Sequence, residues 1–320
     1  MEKPSFLQHF PVTLFAMIMG LGGLTLSWHR AHVFLHMPVW ISQVLLLVSV
    51  ALFLVISAFY LTKILRFPEA VKVEISHPIK ISFFPTFSIS LILLATALLP
   101  VSTGLSKVVW LLGASLHLLF SLYVITQWMH QTRFTIQHST PAWFIPVVGN
   151  ILVPIAGVQH GYVEASWFFF AIGLVYWIVL KVLIFNRIIF HDPIPEKLLP
   201  TLFILIAPPA VGFIAYMQLQ GGVLDGFARI LYFSALFLVL LLLVQVRYFT
   251  KIPFFLSWWA YSFPLAAFSI ATQIMLEKQG GWFFLVLSYL SLGFVTLLIG
   301  LLLLRTLQGV ISGKLFQPEG

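Results

Sequence analysis

The residues able to do chemistry are few and scattered. His29, His32 and His36 stand at i, i+3 and i+7, a spacing that could turn three imidazoles toward a metal, but no carboxylate is near them in sequence. His117 is alone in an apolar run, where a hydrogen-bonded structural role is expected. Glu164, Asp225 and Glu277 lie between apolar runs and read as solvated. There is no cysteine, hence no thiolate ligand, no cysteine nucleophile and no disulfide. No phosphate-cradling glycine loop and no pair of catalytic acids occurs, so the sequence supplies no catalytic residue, no metal site and no cofactor site, and enzyme function has nothing to rest on.

What remains is the chemistry of hydroxyls, backbone groups and rings. Ala16, Gly20, Gly23 and Ser27 recur at helical spacing, as do Ser82, Thr86 and Ser90, and then Asn150, Pro154 and Gly157. Such stripes suit a lumen wall. They equally suit close helix packing, with serine and threonine bonding back to their own helix. The stretch Trp258-Trp259-Ala260-Tyr261-Ser262-Phe263-Pro264-Leu265-Ala266-Ala267 carries a proline inside an apolar run. Pro264 has no N–H, so the carbonyl of Ala260 is expected to lose its helical partner and the helix to kink there. Phe263 stands directly before that break, with Ala267 and Ile270 further along its face. It is either a plug above a small-residue wall or a packing ring above small contacts.

The elements that position these residues are membrane spans. Of 320 residues, 61% are hydrophobic and only 8% charged. A soluble domain carries about 25% charged residues. The chain reads as ten apolar runs, over 11–29, 38–62, 79–98, 107–129, 142–158, 164–187, 199–218, 225–248, 255–275 and 281–306. The first is too long for a signal-peptide core and lacks a small-residue cleavage site, so it is taken as a retained span. Trp28, Trp40, Trp110, Trp128, Trp143, Trp167 and Trp282 fall near run ends, as interfacial indoles do. The whole chain, 1–320, reads as a single transmembrane domain.

Charge sets the orientation. The N-terminus and the segments at the ends of even-numbered spans hold thirteen basic residues, among them Lys3, Lys63, Arg66, Lys72, Arg133, Arg187, Arg247 and Lys314; the segments after odd-numbered spans hold only Arg30, Lys107, Arg229 and Lys278. The positive-inside rule then places both termini in the cytoplasm. The net charge of +8 is spread between apolar runs and does not form a patch, which argues against nucleic acid as a partner.

Prolines reveal a repeat. Pro11, Pro78, Pro141, Pro200 and Pro253 lead the odd-numbered spans at intervals of 53 to 67 residues, and Pro85, Pro146, Pro208 and Pro264 are expected to kink them. Even-numbered spans are nearly free of internal proline. Five helical hairpins of one orientation predict an all-α protein built as a quasi-fivefold ring, with broken odd helices inside and smooth even helices outside. The residues expected to face the lumen are Phe15, Ala16, Gly20, Ser82, Thr86, Ser90, Pro146, Asn150, Pro208, Val211 and Ala267.

Four stretches carry a resemblance: Phe10-Pro11 with Phe15, Met19-Gly20-Leu21-Gly22-Gly23-Leu24 and Trp28; Pro141 with Pro146-Val147-Val148-Gly149-Asn150; Ala207-Pro208-Pro209-Ala210; and Trp258 to Pro264. Together they resemble the family that joins tellurite-resistance TehA proteins, plant slow-type anion channels and fungal malate and sulfite transporters. The resemblance covers nearly the whole chain, and without long plant-type tails the chain looks nearest to bacterial TehA-like members. It implies a ten-helix protomer with a pore down five inner helices, a homotrimer, a bacterial inner membrane, and Phe263 at the position of the phenylalanine that occludes the pore.

No carboxylate lies inside an odd-numbered span, so neither a cation ring nor a proton relay is evident. This favours a gated channel passing small inorganic anions such as chloride or nitrate. The alternative is a secondary transporter that exports oxyanions such as tellurite or sulfite, or carries C4-dicarboxylates with protons.

Overall fold

The structure, a computed structural model, describes residues 6–316; Lys3 and the side chain of Lys314 lie outside what is described. All regular structure among the described residues is helical. Among the described residues nine helices are long and apolar enough to cross a membrane: Val12–Leu35, Val39–Arg66, Lys80–Leu98, Thr103–His130, Val163–Phe190, Glu196–Leu219, Gly226–Val244, Leu256–Gln279 and Trp282–Ile311. Between the fourth and sixth of the expected spans lies a shorter apolar helix, Pro141–Gly157. It combines seven 3₁₀ residues with ten α residues. At about 2.0 and 1.5 Å per residue these reach roughly 29 Å, close to the thickness of the hydrocarbon core, so the 3₁₀ turns let a short segment serve as the fifth span.

Most helices outrun their apolar cores. The first continues to Leu35, the second to Arg66 and the tenth to Ile311, because backbone hydrogen bonding carries on into the polar interface after the hydropathy falls. Side-chain caps start two even spans: Ser102 Oγ accepts from the Leu105 amide (3.3 Å) and Asp225 Oδ1 from the Ala228 amide (2.9 Å).

The five odd spans share one construction. Each enters through 3₁₀ turns and continues as α-helix: Val12–Leu14 then Phe15–Leu35, Lys80–Phe83 then Thr86–Leu98, Pro141–Trp143 then Phe144–Val148, Glu196–Ile206 then Ala207–Leu219, and Leu256–Tyr261 then Ser262–Gln279. This changes the expectation for the prolines. Pro264 and Pro208 do not interrupt a continuous α-helix. They stand in the first turn of one, just past a 3₁₀ stretch, where a missing N–H leaves no intrahelical bond unmade. Pro85 likewise is the residue before an α-helix, and Pro146 lies in the first turn of one. The even spans are long α-helices, with the eighth followed after Gln245 by a short helix, Val246–Thr250.

Burial separates the two sets. The first, third, seventh and ninth spans are 72%, 83%, 72% and 83% buried, whereas the even spans are 22–39% buried. Each odd span touches the next, and the ninth returns to the first. The first span makes this possible with glycine. A methyl group on Gly20 would fall inside Ser262, so the first and ninth backbones approach there as no larger residue would allow. The second polar layer between them is Ser27 Oγ donating to Ser269 Oγ (2.9 Å), with Gln273 Nε2 reaching the Ser27 carbonyl (3.3 Å). The tenth span is tied from outside: Trp28 and Trp259 donate their indole N–H groups to Thr296 and Thr306 (3.0 and 2.9 Å).

Candidate pore and its mouth

A cavity of about 200 Å³ lies between all five odd spans. Every one of them contributes. The first supplies Gly23, Leu26, His29 and Arg30; the fifth Leu152, Ile155 and Gln159; the seventh Val211, Ile214 and Gln218. Gly23, Leu26 and Arg30, and likewise Val211, Ile214 and Gln218, fall at i, i+3 and i+7, one face of a helix over two turns; Leu152, Ile155 and Gln159 keep that spacing, although Leu152 lies in a 3₁₀ turn and Gln159 beyond the helix end at Gly157. The third span adds Leu93, Thr96 and Leu99, and the ninth adds Phe263, Ala267, Ile270 and Ile274. The lining therefore runs from mid-span toward the C-terminal end of every odd helix. On the first, fifth and seventh spans it starts apolar and ends polar, whereas the third-span lining ends at Leu99 and the ninth-span lining at Ile274.

Phe263 is the first lining residue on the ninth span and is 8% exposed. Its ring lies against the first span, where a methyl group on Gly23 would sit 3.2 Å from Cδ2 and 2.9 Å from Ala266 Cβ. Two other sequence-derived candidates, Val211 and Ala267, share the cavity with it.

The remaining candidates lie elsewhere. The Phe15 ring packs against Phe87, Phe53 and Tyr60 of the neighbouring spans (5.1, 6.0 and 6.0 Å). Gly20 is a packing contact with Ser262 and Trp259, and Ala16 packs half-buried against the core. The hydroxyl stripe of the third span turns back on backbone: Thr86 bonds the Phe83 carbonyl, and Ser90 those of Thr86 (2.7 Å) and Phe15 (3.2 Å). Ser82 is wholly buried, and its hydroxyl has no hydrogen-bond partner among the described residues. Asn150 reaches toward the fourth span, donating to Ser121 Oγ (2.9 Å), while Ser121 donates to the Pro146 carbonyl. Pro208 is buried one turn before Val211. His117 is fully buried and bonds Ser88 through Nδ1 (2.9 Å). Among the described residues no group of three or more His, Cys, Asp or Glu could hold a metal ion, His29, His32 and His36 included. Trp110 is not interfacial: it is 2% exposed and donates to the Val153 carbonyl (2.9 Å) beside the 3₁₀–α junction of the fifth span.

Charge gathers at the two ends of the odd spans. At the C-terminal end of the ninth span, Glu277 is not freely solvated as its sequence position suggested. It pairs with Arg30 of the first span, and Lys278 Nζ lies 3.3 Å from its Oε1. The Gln159 amide donates to the Gln218 carbonyl oxygen (3.2 Å) beside them. Asp225 also has partners: Tyr216 donates to it (2.6 Å), and with the Ala228 amide it forms the eighth span's cap. The Ala228 bond above all, then the Tyr216 bond, holds its carboxyl below the ordinary carboxylate pKa.

At the other end, Lys63 is the opposite of a loop cation. It is 3% exposed in the last turn of the second span and donates to Glu74 Oε2 (2.7 Å) and to the Phe10 carbonyl (2.8 Å). Glu74 also accepts from Tyr60 (3.0 Å) and from the Val12 amide (2.9 Å). The carboxylate thus ties the entry of the first span to the second span and to the short helix Pro68–Ser76.

Comparison with known proteins gives a consistent result. The family profile described as "Voltage-dependent anion channel" (SLAC1) matches residues 9–307. The chain is 36% identical over 85% of its length to the S-type anion channel SLAH3 of Arabidopsis thaliana, and 32% identical over 98% to SLAH2 of the same plant. It spans 44% and 62% of the lengths of these two relatives. It is 27% identical to an uncharacterized transporter of Methanocaldococcus jannaschii over 98% of this chain and 99% of the other. To the tellurite resistance protein TehA homolog of Haemophilus influenzae it is 24% identical over 96% of its length. Identity to the two plant channels thus exceeds identity to that TehA homolog.

Proposed function

The chain belongs to the SLAC1 family of voltage-dependent anion channels, and on that footing we propose that it is a gated channel conducting small monovalent anions passively. The S-type anion channels of Arabidopsis thaliana are what this chain is similar to over most of its length. The observation that carries the reading is the cavity to which all five odd spans contribute, with Phe263 at its inner end.

In this reading residues 1–320 form one channel domain, with the odd spans arranged quasi-fivefold around a pore and Phe263 as its gate. An apolar stretch closed by a phenyl ring offers nothing to replace an ion's hydration shell, so closure needs no charged lock. Beyond the ring the lining is Gly, Leu, Ile, Val, Ala and Thr, with two amides, the His29 imidazole and a guanidinium toward the rim. That order suits a weakly selective path for an anion such as chloride or nitrate and holds no carboxylate for a cation or a proton relay. The termini lie in the cytoplasm of a bacterium, the protein resides in the inner membrane, and it assembles as a homotrimer with one pore per protomer; the charge asymmetry supports the first of these and the TehA likeness the others.

The test is current–voltage recording from reconstituted protein under anion gradients at two pH values. A reversal potential that follows the anion gradient and ignores the proton gradient is expected. One that moves with the proton gradient at fixed anion gradient would replace the channel with a coupled carrier.

A further inference from the structure

Outward-facing basic residues are scarce in this chain, yet two of the four meet at one carboxylate. Arg30 and Lys278 both contact Glu277. Lys107 instead lies over the Tyr162 ring (5.0 Å), and Arg229 donates to Gln279 (2.9 Å). The cluster also has a particular place. A second cavity of about 220 Å³ is lined by Arg30, Gln218, Gly222, Glu277 and Lys278. Arg30, Gln218 and Ile274 line both this space and the five-span cavity, so the two meet at the Arg30 guanidinium.

Two cations that share one carboxylate leave a net positive charge at this mouth. The guanidinium is also incompletely used. Arg30 Nε is buried and has no hydrogen-bond partner among the described residues, and the Arg30 and Glu277 side chains are each only 24% exposed. A guanidinium carries five donors and is weakly hydrated, which suits it to exchange one anion for another. Gly222, at φ +83°, holds Lys278 close: a methyl group there would lie 3.2 Å from Nζ. Glu277 occupies the place against Arg30 that a free anion would take.

We propose that Arg30 and Lys278 form a binding site for a small monovalent anion in the outer mouth, and that Glu277 fills it as a tethered competitor. The proposal rests on the channel reading and adds control of anion entry to it. Glu277 is fourteen residues beyond Phe263 on one helix, roughly 21 Å along its axis, so the mouth and the ring act on separate steps.

The experiment uses the conducting protein, wild type or Phe263→Ala, with chloride varied on the outer side. In parallel, melting of the detergent-purified protein is followed with added bromide. Glu277→Gln is expected to lower the half-saturating chloride concentration roughly two- to fivefold, the factor carried by a partly exposed ion pair. Arg30→Gln together with Glu277→Gln should abolish that gain. Bromide should raise the melting temperature of Glu277→Gln more than that of wild type, and this too should vanish in the double variant. If the parent conducts and Glu277→Gln leaves half-saturation unchanged, the site is overturned while the channel stands. If no variant conducts anions, the channel reading falls and the bromide melt alone decides, with no added stabilisation of Glu277→Gln overturning the site. Should Glu277→Gln fail to express, Lys278→Gln replaces it. It is expected to raise the half-saturating concentration by a similar factor, and an unchanged value overturns the proposal.

Discussion

Gly23 and Phe263 face each other so closely that one methyl group on the glycine would lie 3.2 Å from the phenyl Cδ2. The first span thus leaves the ring room only because it has no side chain there. Around the ring the cavity is otherwise lined by Leu, Ile, Val and Ala.

Phe263→Ala is expected to raise anion conductance well above wild type, with Phe263→Leu intermediate, at matched surface expression. The ring excludes water from an apolar constriction, and its removal opens that path. A mere packing ring predicts the opposite: a cavity costing about 3–5 kcal/mol, poorer expression and no current. A well-expressed alanine variant as silent as wild type would remove the gate assignment.

Gly23→Ala tests the other partner. The new methyl group must push away Ala266 Cβ at 2.9 Å as well as the ring, and alanine has no rotamer with which to yield. Overpacking of this kind costs about 1–3 kcal/mol, read as a lower melting temperature in detergent. Adding Phe263→Ala should restore part of the loss only, since the Ala266 contact remains. Full restoration would mean that the ring alone sets the spacing of the two helices.

The Lys63–Glu74 pair anchors the entry of the first span. Lys63→Met or Glu74→Gln alone leaves a buried group without its partner, at about 3–5 kcal/mol. The double variant should recover a substantial part of this. Hydrogen exchange at the Val12 amide, which donates to Glu74, should accelerate in the single variants. Single variants as stable as wild type would show that the pair bears none of this anchoring.

Asp225 gives stability a pH dependence of known sign. Its carboxyl pKa is held below the ordinary 3.8 by the Ala228 amide and the Tyr216 hydroxyl. The unfolded chain therefore binds the proton more readily. The contribution is complete above the ordinary value and is lost as pH falls through the lower, folded one. Asp225→Ala should melt below wild type at about pH 6, with the gap narrowing under about pH 4. A gap that stays constant over that range would remove the ionised carboxylate from the explanation.

Reporter fusions at Gly320 and in the segment near Gly280 should report opposite sides of the membrane. The motive is the excess of basic residues at even-span ends. Equal signals from both would break the ten-span topology.

What the sequence made legible follows from the strength of each signal. Proline placement acts over whole spans, and it anticipated the buried odd and exposed even helices. Local side-chain direction was harder to read. Serine and threonine on the third span looked like a lumen face because their spacing is helical, but Ser90 and Thr86 satisfy backbone carbonyls instead. Asn150 stood out as the polar residue of the fifth span, yet it points to Ser121, and Gln159 two turns on lies at the cavity. The usable signal was a face repeated across helices: Gly23, Leu26, Arg30 against Leu152, Ile155, Gln159 and Val211, Ile214, Gln218. Glu277 was misjudged because its partner Arg30 is 247 residues away in sequence. Long-range pairing of that kind leaves no local trace.

The inner position of the odd spans bears on how the chain enters the membrane at all. The first and ninth spans have mean hydropathies of 1.4 and 1.2, against 2.8 and 2.3 for the even spans that follow them. Glycine, serine and glutamine serve the contacts these two spans make with each other, and the same residues lower their own solubility in lipid. Insertion of each is therefore favoured as half of a hairpin, with the more apolar even helix holding it in place. The first span must then wait in lipid with its polar face uncovered while the intervening spans are synthesised, because Ser27 finds Ser269 only 242 residues later.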